Sequence, residues 1–216
     1  MALNALKTNE CIIFVAIAME EAQEQSEEFW YKIRIGLTDP YVFIKGFEAL
    51  ALGLILLLGT GCFGYLSGVV FNGVLDIHFQ KAVPFKLHMA EQLLDWSITV
   101  LVFYSLGHIL SNSQIKILDI GGAMAIARFP MFIASFFALF VHPHLPLINQ
   151  IGPILFYAAI SLATLLWTIK LMYNAFTIYC NVEGMRAVGG FIVALILSEV
   201  LSLVVFFQIY QHLLAD

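Results

Sequence analysis

The chain has 216 residues, 61% of them hydrophobic and 12% charged, with a net charge of -5. Soluble domains carry about 25% charged residues, so this composition excludes an ordinary soluble fold, and the absence of a basic stripe excludes nucleic acid as a partner. The three cysteines, Cys11, Cys62 and Cys180, are an odd number with one inside an apolar run, which argues for reduced thiols rather than a disulfide framework.

In chain order, residues 1–40 read as a cytoplasmic arm. Its apolar stretch at 11–19 is short, only Lys7 precedes it, and Glu20, Glu21, Glu24, Glu27 and Glu28 follow. A cleaved signal would need positive charge before and small residues after, so the arm is expected to keep this stretch as a short amphipathic or interfacial helix. Residues 41–216 then hold five apolar runs, near 49–74, 93–110, 119–141, 151–176 and 187–211. About 20 apolar residues cross a hydrocarbon core as a helix, and a backbone in lipid must satisfy its own polar groups. The expected fold is all-α: a polytopic bundle of five transmembrane helices.

The first run opens at Thr38-Asp39-Pro40. Asp39 is a candidate cap and Pro40 suits a first turn, so the helix is expected to start at Tyr41. Its Gly64 and Gly68 make a GxxxG spacing, and the fifth run has Gly190 and Ala194 at the same spacing. Small residues let helices approach closely in lipid. The first and fifth spans are therefore candidates to pack together, with a homodimer as the alternative use of Gly64 and Gly68. Lys7, Lys32, Arg34, Lys45, Lys116, Lys170 and Arg186 fall on one side of such a bundle, and Lys81 and Lys86 on the other. The positive-inside rule then puts the N-terminus inside and the C-terminus outside.

Three charges lie deep within the runs. Arg128 is about 13 Å and Glu199 about 18 Å from the inner ends of their helices at 1.5 Å per residue, and Asp95 descends to a similar level. A bare charge at the bilayer centre costs at least about 2.5–3.5 kcal/mol, so such groups turn inward and pair. A buried cluster of Arg128 with Asp95, Glu199 or both is expected, with Pro130 freeing backbone carbonyls nearby. It serves either as a fixed clamp that sets helix register or as part of an ion, proton or solute pathway. His88, Glu91 and Asp95 share one helix face, and His142 and His144 lie two residues apart near the same, outer end. His88, Glu91, His142 and His144 are thus weak candidates for a divalent metal. No paired metal motif, P-loop or dinucleotide fingerprint occurs. Ser67 has no histidine at matching depth to act as base, so catalysis and a cofactor are not expected.

Phe29-Trp30, followed by a basic stretch ending at Asp39-Pro40, is one of three short motifs with a common likeness. The others are Ala125-Ile-Ala127-Arg128-Phe129-Pro130, and Trp167 with Lys170 and Asn174-Ala175 before Glu183-Gly-Met-Arg186-Ala187. Together these resemble the Yip family, the Ypt/Rab-interacting membrane proteins, in its short prokaryotic form. The resemblance covers about residues 29–214. It implies a five-span bundle with a cytoplasmic N-terminus in a prokaryotic inner membrane. It also implies a non-catalytic scaffold or adaptor role, with the turn bearing Glu183 and Arg186 as a contact surface. The chain departs from the trafficking relatives in its short arm and its lack of a C-terminal prenylation box, so small-GTPase binding is not carried over. The partners expected are the lipid bilayer and either further copies of the chain or a membrane or cytoplasmic protein. The alternative is a small permease or ion/proton pathway built on Asp95, Arg128 and Glu199, with metal at the outer histidines.

Overall fold

The computed structural model describes residues 27–80, 83–141 and 151–215. The chain divides into two compact units, Met1–Phe43 and Ile44–Asp216. The first unit contains helix α1 over residues 27–38. Lys32 pairs with Glu28 one turn away at 2.7 Å, and the Arg34 guanidinium lies over the Tyr31 ring at 5.9 Å. The stretch at 11–19 lies outside the described residues. Helix α1 ends at Thr38, and Pro40–Val42 form a single 3-10 turn. The start signal at Thr38-Asp39-Pro40 therefore opens that turn and not the first span: Asp39 makes no capping hydrogen bond there.

The second unit is an all-α bundle. Its helices are α2 (Gly46–Ser67), α3 (Phe85–Leu110), α4 (Ile117–Ala127), α5 (Phe129–Ala138), α6 (Ile151–Cys180) and α7 (Gly184–Ala215). A two-stranded hairpin, β1 (Val69–Val70) with β2 (His78–Phe79), joins α2 to α3. Five segments are long and apolar enough to cross a membrane: α2, α3, α4 with α5 as Ile117–Ala138, α6, and Gly184–Gln211 of α7. The protein is an integral membrane protein.

Two of the predicted runs are interrupted, each for a local reason. The run near 49–74 stops as a helix at Ser67, because Gly68 takes the left-handed conformation (φ 73°) and returns its N–H to the Gly64 carbonyl. Glycine reaches that conformation without the Cβ clash other residues suffer. Residues 69–80 then turn back into the hairpin. The run near 119–141 breaks between α4 and α5 at Arg128 (φ -84°, ψ 0°), with Pro130 in the first turn of α5. Proline has no N–H to continue the ladder and clashes with the preceding turn. The Arg128 N–H turns to the Ala125 and Ile126 carbonyls, and its own carbonyl accepts from Met131 and Phe132.

The broken span is the centre of the bundle. Every residue of α4 from Ile120 to Ala127 is buried, the pattern of a helix surrounded on all sides. Helix α2 runs parallel to it at very close range. A Cβ added at Gly122 would meet the Leu50 amide at 2.9 Å and the Ala49 Cβ and Gly46 carbonyl at 3.0 Å, and one at Gly53 would collide with Ala125. Trp96 of α3 donates to the Gly121 carbonyl at 2.9 Å and fixes α3 on the same helix. Helix α6 packs on α5 and α4, and α7 packs along α3.

The expected pairing of the first and fifth spans through Gly64–Gly68 and Gly190–Ala194 is not how these glycines are used. Gly68 terminates α2. A Cβ at Gly64 would face the Val69 carbonyl at 2.8 Å and His88 Nδ1 at 3.5 Å, so this glycine makes room for the hairpin and α3. Gly190 seats the Leu110 side chain of α3 and the Phe176 ring of α6, and Ala194 is buried. The GxxxG spacing falls on a helix end, where left-handed backbone rather than helix contact requires the second glycine.

Candidate functional site: a buried ionisable seam between α3 and α7

Helix α3 turns one polar face inward. His88, Glu91, Gln92, Asp95 and Thr99 recur at three- and four-residue spacing, and all are buried, Glu91 and Asp95 at 0% exposure. These positions coincide on one side of a helix. Helix α7 lies antiparallel against that side. Tyr210 donates to Glu91 Oε1 at 2.8 Å, Ser202 donates to Asp95 Oδ1, and near the far end Gly190 receives Leu110. Three facing positions on α7, at 202, 206 and 210, follow the same four-residue rhythm, with the fully buried Phe206 between the two hydroxyls.

The break between α4 and α5 supplies the cation. Arg128 is buried, and its Nη1 lies 3.9 Å from Asp95 Oδ2. That separation makes an ion pair without a direct hydrogen bond. Arg128 Nη2 and Asp95 Oδ2 have no hydrogen-bond partner among the described residues. Ten residues separate Asp95 from Phe85, and ten separate Arg128 from Ala138. Both groups therefore lie about 15 Å from the hairpin end of the bundle at 1.5 Å per residue. Thr99 hydroxyl donates to the Asp95 carbonyl at 2.6 Å, completing the polar set one turn deeper.

Of the expected cluster of Asp95, Arg128 and Glu199, the first two form the close ion pair, and Glu199 acts on both at longer range. Glu199 is half-buried and reaches a different partner, the Leu75 N–H of the hairpin segment, at 3.0 Å. The carboxylate sits directly against Gly73, where no Cβ would fit without displacing it. The hairpin is itself packed into the protein. Val69 and Val70 are at 0% exposure, and Val69 and Phe71 share an apolar cluster with Met131, Ala138 and Tyr157. Buried non-helical backbone needs surrounding groups to take up its amides. Carboxylates of α3 and α7 do so here: the Phe71 amide is directed at Glu91 and the Leu75 amide at Glu199.

The described histidines do not assemble into a metal centre. His88 Nδ1 stands 3.8 Å from Glu91 Oε2, with the Tyr65 ring edge-on to the imidazole. His78 lies in the hairpin beside Asp76 (3.2 Å) and Asn72 (3.3 Å). Among the described residues no three His, Cys, Asp or Glu side chains converge on a point that a metal could occupy. His142 and His144 lie outside the described residues. Glu183 and Arg186 are both exposed at the turn between α6 and α7. Cys62 is exposed and Cys180 buried, both as free thiols.

Sequence reasoning missed Ser202 and Tyr210, the α7 half of the seam. Their signal was present as the eight-residue spacing between them, in register with the i, i+4 recurrence of α3. It also missed a hydroxyl file on α6, Tyr157, Ser161, Thr164 and Thr168. There Thr164 is satisfied by carbonyls of its own helix at 3.0 Å, while the buried hydroxyls of Tyr157, Ser161 and Thr168 have no hydrogen-bond partner among the described residues. The chain matches no protein-family model, no curated protein and no solved structure.

Proposed function

We propose that this integral membrane protein is a small ion or proton pathway whose working groups lie in the seam between α3 and α7. The observation that carries the reading is the continuity of buried ionisable side chains. His88, Glu91 and Asp95 follow one another along a single inward face and meet Arg128 where the central span is broken. Ionisable groups inside a bilayer are rare, costly and mostly tied to substrate or proton movement. Discontinuous helices at midplane are a recurrent way to present charge and free backbone to a cargo. A clamp that only fixed register would need one ion pair. This seam holds two fully buried carboxylates, a histidine and unpaired polar atoms on both sides of the Asp95–Arg128 contact.

The test is flux in liposomes. Full-length protein reconstituted with an internal pH indicator is expected to dissipate an imposed proton gradient. Asp95→Asn, purified as a monodisperse species, is expected to slow this to the leak of empty vesicles. Wild-type protein that stays folded yet moves neither protons nor Na⁺ or K⁺ overturns the reading.

A second reading, a non-catalytic scaffold or adaptor, draws support from the two longest helices. Helices α6 and α7 expose Leu155, Leu162 and Leu166, and Ile192, Ile196, Leu203 and Phe207, long apolar faces open to lipid or to another helix. The Yip-like segments around Trp30, Arg128 and Trp167 favour the same role. With Lys45, Lys116, Lys170 and Arg186 at one end of the bundle and Lys86 at the hairpin end, the positive-inside rule favours a cytoplasmic N-terminus. An inner, prokaryotic membrane fits that orientation. A specific protein retained in mild detergent, and lost when Glu183 and Arg186 are both changed to alanine, would favour the scaffold.

A further inference from the structure

The charges of the seam do not pair off. Asp95 has Arg128 within 3.9 Å and the Ser202 hydroxyl on its other oxygen. Glu199 has the Leu75 amide. Glu91, one turn from Asp95 and equally buried, has no Lys or Arg within ion-pair distance among the described residues.

The groups that face Glu91 come from every element around it. On α3 itself stand His88, with Nδ1 at 3.8 Å from Oε2, and Asp95 one turn further in. From α7 comes the Tyr210 hydroxyl, and from the hairpin the Phe71 amide. Arg128, at the break in the central span, engages Asp95, whose other charged neighbours are Glu199 and Asp76. Glu91 Oε2 accepts no hydrogen bond among the described residues. One oxygen of a fully buried carboxyl is thus left with an open lone pair.

A carboxylate sealed from water without a cation is unstable as a bare charge, and something must neutralise it. A hard metal cation gathers about six oxygen ligands. Glu91 and Tyr210 offer too few, and no third acidic or imidazole donor converges here among the described residues. A proton needs a single lone pair. We propose that Glu91 is a proton-binding site and that His88 is its exchange partner. This rests on the pathway reading and names its cargo.

The transfer balances without any further reactant. Imidazolium at His88 gives the proton on Nδ1 to Glu91 Oε2; the N–H bond breaks as the O–H bond forms. The products are a neutral imidazole and a neutral carboxyl. Tyr210 keeps its hydrogen bond to Oε1 throughout and holds Oε2 toward the imidazole. The proton that recharges His88 comes from bulk water; beside its ring stands the half-exposed Tyr65.

Infrared difference spectroscopy on full-length protein in nanodiscs reads this directly. A protonated-carboxyl C=O band is expected to appear as pH falls, to shift in D₂O, and to be lost in Glu91→Gln but kept in Asp95→Asn. Should Glu91→Gln fail to fold, Tyr210→Phe provides the second reading: losing a hydrogen bond to the same carboxyl should move the band. A titrating band that survives Glu91→Gln, or that stays fixed in Tyr210→Phe, overturns the proposal. Proton flux in liposomes separates this proposal from the reading beneath it. If the band behaves as expected while wild-type protein conducts nothing, proton binding stands and the pathway falls. If protein conducts but the band is independent of Glu91, the pathway stands and the assignment to Glu91 falls.

Discussion

The α2–α4 seam and the α3–α7 seam hold neighbouring helices together by opposite means. Between α2 and α4 there is almost no side chain: Gly53 meets Ala125, and Gly122 meets the backbone of Gly46 and Leu50. Between α3 and α7 the contacts are carboxylates, hydroxyls and a buried ion pair. In lipid, apolar side chains gain nothing by leaving the solvent, so helices associate through close packing or through polar groups that lipid cannot satisfy. The first solution is rigid and chemically silent. The second leaves ionisable groups within the span-length helices. Variants should separate the two seams by what they damage.

The largest effect is expected at the silent seam. A side chain at Gly122 would meet two backbone atoms, the Leu50 amide at 2.9 Å and the Gly46 carbonyl at 3.0 Å, besides the Ala49 Cβ, and backbone cannot swing away as a side-chain tip can. Overpacking typically costs about 1–3 kcal/mol and more where nothing yields. Gly122→Leu should therefore abolish the folded, monodisperse protein, and Gly122→Ala should lower the melting temperature clearly. A normal elution profile and melting temperature for Gly122→Leu would mean that α2 and α4 are further apart than described.

Next comes the ion pair. Arg128→Met leaves Asp95 buried without its cation, and removing one partner of a buried pair costs about 3–5 kcal/mol. Replacing both, Arg128→Met with Asp95→Leu, should recover most of that stability, because the uncompensated charge is gone. Combining Arg128→Met with Glu199→Leu should recover little, since Glu199 is bonded to the hairpin. Equal rescue by the two double variants, in thermal unfolding in detergent, would place Glu199 in the cluster after all. Smaller again is Gly73→Ala. The added Cβ would press on the Glu199 carboxylate, a side-chain end that can move, at the expense of its bond to the Leu75 amide. A loss of about 1 kcal/mol fits one hydrogen bond of this kind, with faster hydrogen exchange at Leu75 as its local signature. Unchanged exchange there would show that the carboxylate does not hold the hairpin.

How much of this could be read from the sequence follows the same division. Spans are written in length and hydropathy, so all five were legible. The inward turn of Asp95 and Arg128 followed from the cost of charge in lipid. Their mutual choice over Glu199 did not, because helix order around the bundle is set by surface fit. The hydrogen bond of Glu199 was not legible for a physical reason: its partner is a main-chain amide of the hairpin segment, and a backbone donor has no sequence signature. The hairpin hid inside an apolar run, since Val69, Val70 and Phe71 are as hydrophobic as the helix before them. Only Gly68 marks the reversal, and within a GxxxG spacing it suggested helix contact instead of helix termination. Pro130 was read only as freeing carbonyls near Arg128; its missing N–H also ends the helix there, a break that the apolar run on both sides conceals.

The smallest expected effect is the sharpest guide to the scaffold reading. An added side chain at Gly189, on α7, would meet nothing within 4 Å, so in a single copy this position faces open surroundings. Leucine is a better helix former than glycine by somewhat under about 1 kcal/mol. Gly189→Leu should therefore leave the melting temperature unchanged or slightly higher, with the same oligomeric size and the same flux. Gly190 one residue on supplies the control, because there the Leu110 side chain already fills the space and Gly190→Leu should destabilise. If Gly189→Leu instead dissociates a larger species, or protein yield falls as far as in the Gly190 variant, a second helix covers that face. The exposed apolar surface of α7 would then be a packing seam of the silent kind, joining this chain to another copy or to a membrane partner, and the balance between the two proposed roles would move toward the scaffold.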